Sequence, residues 1–417
     1  MVIPGRSSAP QYETGHRLDY SHYLGVSAFV PFALGQRSAK IISQPTSTDE
    51  ALRGLTAWLM SERVLQSQGG GAGVANWLWP DGLHDGLYPE ISGYYLQFLA
   101  LAASGSTVGG VSDAGAVAEP AARHAASRVI AWLDQAGPAG DPLTLYHRDM
   151  TQSDWRNKCL FAFDLGMIMR GFASVESRWP GIVPTAVNSR YAASIQSLVS
   201  HGHLRSHRLR AGASESEIPV KWSTQVDVHH VKIAGALAGV GSRFEGVVAA
   251  IISEQAEALK REGTARMREL HPFLYLIEGW LMLWGQSGNR AFLDYAGIAF
   301  HILLRELDPE RGTLPPIAGR HDLATRADVL AQALRAGVVL EQAAWFDGPA
   351  ARQWSMARHA LHDALLSRVT PEGGIEFDQV GRHRNVWASL FSWQALDFVA
   401  QARTGLLDAR KSAAALI

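Results

Sequence analysis

Two acidic residues, Glu90 in YPEISGYY (88–95) and Asp164 in CLFAFDLG (159–166), open apolar, helix-patterned runs. Carboxyl groups placed this way can work as an acid and base pair, as in glycoside hydrolysis. They can equally cap helix ends, where first-turn acids are favoured. Histidines form a second set: His84, His147, His229, His230, His271, His321 and His383, most of them in or just before such openings. Imidazole is the side chain best suited to moving a proton near neutral pH. His230 reads as a substrate contact. Arg148, Arg326, Arg382 and Arg384 offer planar forks of donors for carboxylate or phosphate, and Asp328 stands close enough to Arg326 to pair with it. Trp79, Trp155 and Trp387, with Tyr88 and Tyr94, fall in loops or first turns, where rings can stack on sugar faces.

Other chemistries lack their residues. His229 and His230 are adjacent, so on a helix they point about 100° apart and cannot chelate as an i,i+4 pair does. No HExxH, paired CxxC or EF-hand pattern occurs, and no serine sits in a nucleophile elbow. The run GGGAG (69–73) lacks the strand and helix of a phosphate loop and reads as a flexible connection. No metal or other cofactor is expected. A single cysteine, Cys159, excludes an internal disulfide framework and fits a reducing compartment.

The formal net charge of −1 gives no global field for nucleic acid or an anionic membrane. The N-terminus lacks the basic and apolar regions of a secretory signal, and no run approaches the roughly 20 apolar residues needed to span a bilayer. The expectation is a cytoplasmic protein acting on a small molecule or oligosaccharide, with no nucleic-acid or membrane partner; a homodimer is left open.

These groups need a frame, and the apolar periodicity describes one. With 47% apolar residues the chain can bury a large core. Six segments carry ordinary charged faces: 51–66, 114–136, 181–200, 242–260, 289–306 and 351–368. They alternate with six that are apolar nearly all round: 91–105, 161–174, 224–240, 271–286, 326–344 and 385–402. Starts recur about every 60 residues, the length of one helical hairpin with its loops. The reading is all-α, an (α/α)6 toroid of six hairpins over 46–417, with an N-terminal arm over 1–45. ESEIPVKW, ending at Trp222, could add a small hairpin. Inner helices that run the same way would gather the polar openings, with their unpaired N–H groups, at one mouth.

Four segments carry a family resemblance. DGLYPEISGYYLQFL is similar to the YPE-x-x-GY motif that opens the first inner helix of toroid proteins from bacterial polysaccharide and glycoside gene clusters. FDLGMIMRG, HPFLYLIEGWLML and RADVLAQALRAGVVL resemble later inner helices, and together the pieces span most of residues 80–400. The resemblance is to N-acylglucosamine 2-epimerase-like proteins of the (α/α)6 carbohydrate enzymes. In those proteins one histidine begins the fourth inner helix and another precedes the sixth. This implies a carbohydrate isomerase or epimerase with His271 and His383 as its acid/base pair and Arg382 or Arg384 holding the substrate. A glutamate normally follows the first histidine by three residues; here that place holds Leu274, and Glu278, two turns along, lies deeper in the ring. The same superfamily includes glycoside hydrolases and uronate lyases, in which Glu90 and Asp164 would be the working pair. A non-catalytic sugar-binding protein is a third reading.

Overall fold

The computed structural model describes residues 45, 47–103, 113–135, 137, 140–144, 154–308 and 311–417. The expected N-terminal arm, up to residue 44, and His147 and Arg148 lie outside the described residues. Six helices form an inner set: α2 (Pro89–Ala102), α4 (Ala162–Arg178), α6 (His230–Ala238), α8 (Leu270–Ser287), α10 (Ala327–Gln342) and α12 (Val386–Arg403). Each packs on the next, and α12 returns to α2, which closes the ring. Outside it lie α1 (Thr48–Leu59), α3 (Glu119–Leu133), α5 (Thr185–Ser197), α7 (Glu245–Glu262), α9 (Arg290–Leu303) and α11 (Gly348–Leu366). Each outer helix from α3 onward covers the inner helix before it, and α1 covers α12.

Burial follows the sequence pattern. Every residue from Ala327 to Leu340 of α10 is buried, charged ones included, whereas the outer helix α7 buries one stripe through Val248, Ile251, Gln255 and Leu259. Helix ends are marked locally. Ser47 accepts a hydrogen bond from the Glu50 amide, and Asn289 and Asn385 cap α9 and α12 in the same way. Gly288, at φ 71°, ends α8 with its N–H on the Trp284 carbonyl.

Cross-helix contacts show that neighbouring inner helices run parallel. A Cβ added at Gly279 would lie 2.3 Å from the Val231 carbonyl carbon, and one at Gly235 would lie 2.9 Å from the Met282 Cβ, so α6 and α8 advance together. Asp328 meets Trp387, and one helical stretch further on Arg335 meets Gln394, so α10 and α12 do the same. Glycines in the recognisable segments have a steric reason. A Cβ at Gly93 would stand 2.6 Å from the Met167 backbone. Gly279→Ala is therefore expected to destabilise the fold by about 1–3 kcal/mol or more, because backbone cannot yield as a side chain does. Urea unfolding checks this, and a variant as stable as the parent would contradict the close crossing.

Several expectations are corrected. The first helix stops at Leu59, and Leu65–Gln68 (β1) pairs with Gly71–Val74 (β2). The glycine run is thus a hairpin turn: Gly69 and Gly70 take φ of 53° and 82°, which glycine adopts without strain. Gly71 lies so close to the α3 backbone that a Cβ would meet Trp132 N at 2.4 Å. ESEIPVKW forms no strand; Glu215–Glu217 and Trp222–Thr224 are single 3-10 turns. The third inner helix begins at His230 rather than 224, because the Asp227 carbonyl accepts the His230 amide and starts the helix there. A thirteenth helix, α13 (Ala409–Ala414), was not legible; it packs on α8 and α10.

Short ladders pin the approaches to the inner helices. Trp77–Leu78 (β3) pairs with Arg384–Asn385 (β8), joining the loop before α2 to that before α12. Cys159–Phe161 (β4), just before α4, pairs with His207–Leu209 (β7). A further hairpin links Val199–Ser200 (β5) to His203–Leu204 (β6). No helix among the described residues is long and apolar enough to cross a membrane.

Candidate active site

Because the inner helices are parallel, their first turns meet at one end of the ring. On the α2/α4 side, Tyr88 donates its hydroxyl proton to Asp164 Oδ2 at 3.1 Å. Asp164 is 4% exposed, whereas Glu90 keeps part of its surface open. Burial, ahead of the charge on Glu90, pushes Asp164 well above the usual carboxylate range. Burial also raises Glu90 to about 7, opposed by hydrogen bonds from Tyr94 and Tyr88 and by the Lys232 and Arg156 charges. The two acids oppose each other's ionisation, and both hold their protons more tightly than a free carboxyl does. Tyr94 is fully buried, its hydroxyl 3.1 Å from that of Tyr275 and hydrogen-bonded to Glu90.

A raised folded-state pKa means that Glu90 holds its proton more tightly folded than unfolded. Stability from this group is present below about 4.5, the ordinary glutamate value, and is lost as pH rises through about 7. Glu90→Gln is accordingly expected to gain about 1–2 kcal/mol on the parent between pH 5 and 8. Urea midpoints at the two pH values measure this; a constant difference would remove the assignment.

On the α8/α10 side, His271 Nδ1 is 2.7 Å from Gln332 Oε1 and 3.1 Å from Asp328 Oδ2. Asp328 accepts from Arg326 through both oxygens, from its neighbour's Val329 amide, and from Trp387 Nε1 at 3.4 Å. Burial works against its charge, but Arg326 and His271 hold it below the usual range. Burial lowers His271 to about 4, with Asp328 opposing, so the ring is neutral at pH 7. A neutral ring carries its proton on one nitrogen, and the oxygens of Gln332 and Asp328 are the groups that face Nδ1. The ring packs against Tyr275 at 4.4 Å and Trp222 at 5.8 Å between centroids.

His383 closes the circle on the α12 side. It is 6% exposed among Trp77, Trp79 and Phe377, with ring centroids 5.3, 5.7 and 5.1 Å away. Its Nδ1 has no hydrogen-bond partner among the described residues. Burial lowers its pKa, with Arg326 adding to the effect. Trp387 lies between the two histidines, touching Asp328 through its N–H and Phe377 at 5.6 Å. Trp79, Trp387, Trp222 and Trp155 are all half-buried.

Beneath the mouth lies a sealed ionic floor. Lys232 and Arg335 both bond to Glu278, at 2.8 Å from Lys232 Nζ and 2.8 Å from Arg335 Nε. Both cations also donate to the main-chain oxygen of Ile417, at 2.8 Å each. Lys232 Nζ sits 4.4 Å from the Tyr275 ring centre, and the Arg335 guanidinium 4.1 Å from that of Phe391. Burial lowers Lys232 to about 8, while Arg335 and Lys232 hold Glu278 below its usual range against burial.

The sequence-derived candidates divide accordingly. Glu90, Asp164, Tyr88, Tyr94, His271, Asp328, Arg326, Trp387 and His383 are joined by contacts around one mouth, and Trp79 adjoins His383. Trp155 lies on the α4 approach, edge-on to Phe161. Glu278 is fully buried in the floor and cannot touch a substrate. His230 is sealed with both ring nitrogens buried, because the late start of α6 turns it inward; its neighbour His229 packs on Trp222 and Phe163 beside the mouth. Arg384 points away, donating to the Trp79 carbonyl at 3.1 Å and facing Glu372. Arg382 is an exposed rim residue at φ 50°, paired with Glu376 at 3.3 Å. With Arg326 committed to Asp328, none of these three offers a free fork to an anionic substrate. Trp222 and Tyr275, which are not among the preferred aromatics, pack on His271. Gln332 and Arg335 support the mouth and were not singled out; polar residues inside an otherwise apolar helix, as in α10, are the signal that could have found them.

No protein-family model matches this sequence, and comparison with curated proteins finds no match. Solved structures share the fold. A crystal structure of D-mannose isomerase superposes with a TM-score of 0.62 at 13% identity, over 86% of this chain and 100% of that one. A sugar epimerase from a ruminal bacterium gives 0.63 at 10% identity, over 85% and 98%. An unsaturated glucuronyl hydrolase specific for heparin gives 0.58 at 13%, over 85% and 98%. The chain is an (α/α)6 toroid, and at these identities the fold is what it shares with them.

Proposed function

We propose that this chain is a carbohydrate isomerase or epimerase that moves a proton at a carbon beside a sugar carbonyl, with His271 and His383 as the two proton-handling groups. The observation that carries this reading is the state of His271. Its ring is buried at the start of α8 with Nδ1 2.7 Å from Gln332 Oε1 and 3.1 Å from Asp328 Oδ2, and a proton on Nδ1 there would leave the Nε2 lone pair for a substrate. A second imidazole stands across the Arg326–Asp328–Trp387 bridge, and half-open tryptophans supply faces on which a sugar ring can stack. The likeness in fold to a mannose isomerase and a sugar epimerase supports the same reading. The arginine pairings favour a neutral sugar over a uronate or nucleotide-linked one.

The test is incubation of neutral aldoses and their 2-epimers or ketoses with the protein in deuterated water. Deuterium at the carbon beside the carbonyl, with appearance of the isomer, is the expected result; no label from any of them would overturn the proposal. The carboxyl pair motivates a second reading, glycoside hydrolysis or hydration with Glu90 as the acid, because its pKa of about 7 suits proton donation. Release of reducing sugar from a glycoside, lost in Glu90→Gln, would favour that reading instead.

A further inference from the structure

We propose that Gln332 is a positioning residue that sets the tautomer of His271, and that it can do so because Glu278 forbids its amide from turning over. This deepens the reading of His271 as a proton acceptor and rests on it. His271 Nδ1 faces two acceptors, but they are not equivalent. Asp328 already receives Arg326, the Val329 amide and the Trp387 N–H. Gln332 Oε1 is nearer, 2.7 Å against 3.1 Å.

A glutamine amide can present either its oxygen or its NH2 to an imidazole. In the first orientation Nδ1 must carry the proton and Nε2 is bare; in the second Nδ1 accepts and Nε2 carries the proton. The far side of the amide selects between them. Gln332 Nε2 donates to Glu278 Oε2 at 3.3 Å. Turning the amide would set its oxygen against a carboxylate inside a sealed interior, an unsatisfied contact of like polarity. Glu278 keeps its negative charge because Lys232 and Arg335 hold it from the other side. The ionic floor thus reaches the mouth through one amide: two buried cations fix a carboxylate, the carboxylate fixes Gln332, and Gln332 fixes the ring. The last link in sequence is the segment after α13, since both cations also rest on the Ile417 main-chain oxygen and Gln394 bonds Ala415 and Ile417.

The experiment is long-range proton–nitrogen correlation NMR on the full chain labelled with 15N at histidine, with His271 assigned by the signal lost in His271→Gln. The parent is expected to show the Nδ1–H pattern. Gln332→Met, of similar length but without an acceptor, should lose it or show both tautomers, while Asp328→Asn should retain it. Glu278→Gln, which no longer sets a carboxylate against a turned amide, should show both tautomers and serves as the test if the methionine variant does not fold, an unchanged pattern there counting against the proposal. An unchanged pattern in Gln332→Met, loss of it in Asp328→Asn, or an Nε2–H pattern in the parent would each overturn the proposal. This readout needs no turnover, so it stands or falls separately from the deuterium test. If both hold, Gln332→Met should lower kcat with KM little changed, as expected of a group that acts through another.

Discussion

Glu278→Ala is expected to cost the fold about 3–5 kcal/mol. Glu278, Lys232 and Arg335 are all essentially without solvent contact. Glu278 is the acidic side chain bonded to both cations, so its removal leaves their charges resting on the Ile417 main-chain oxygen, with Gln394 for Arg335, where water cannot reach. Gln332 loses its anchor at the same time. Glu278→Gln should cost less, since the amide oxygen still accepts. Replacing all three charged groups with Met and Leu should recover most of the loss, because desolvation then no longer opposes the pairing. The pH dependence has a definite sign. Glu278 is held below the ordinary carboxylate range, so its stabilisation is present above about 4.5 and is lost as pH falls through its folded value. Urea unfolding across pH 3–7 measures this; an alanine variant within 1 kcal/mol of the parent would mean that the floor is not sealed.

His271→Gln and His383→Gln are each expected to lower turnover by about 10²–10⁴, the usual contribution of a positioned acid or base. Both variants should stay folded, since neither ring is a partner in the ionic floor. The pattern of exchange is more informative than the loss. If the reaction is an epimerisation using groups on opposite faces, each epimer gives its proton to a different imidazole. A variant lacking one should then still wash deuterium into one epimer without forming the other. Loss of exchange from both epimers in both variants would point to a single base, and full activity in either would exclude that residue. Because burial brings His271 to about 4, its unprotonated form persists well below the pH at which free imidazole titrates. The acid limb of the kcat/KM profile should accordingly fall near pH 4 rather than 6.5.

Much of the frame is legible in local patterns. The boundaries of α8, α10 and α12 lie within two residues of those read from the apolar period, because helical periodicity involves neighbours three and four apart. Glu90, Asp164 and His271 could be placed at helix openings for the same reason. What a side chain meets there is another matter. Arg384 looks like a substrate arginine until the loop carrying Trp79, 305 positions earlier, is seen to take its guanidinium. Glu278 reads as a substrate-binding residue deeper in the ring until Lys232, 46 positions before it, and Arg335, 57 after, close around it. His229 and His230, adjacent in sequence, are both buried, and only the fold shows the first packed on Trp222 and the second sealed with no hydrogen-bond partner for its ring among the described residues.

Composition and spacing thus suffice for six hairpins, for the parallel inner ring that they imply, and for the chemical types gathered at its mouth. They do not say which of those groups remain available. That depends on ion pairs and hydrogen bonds between residues far apart in the chain, formed in an interior where an unpaired charge costs several kcal/mol. Ring closure chooses the partners, and whatever they leave unpaired is what the mouth can offer a substrate.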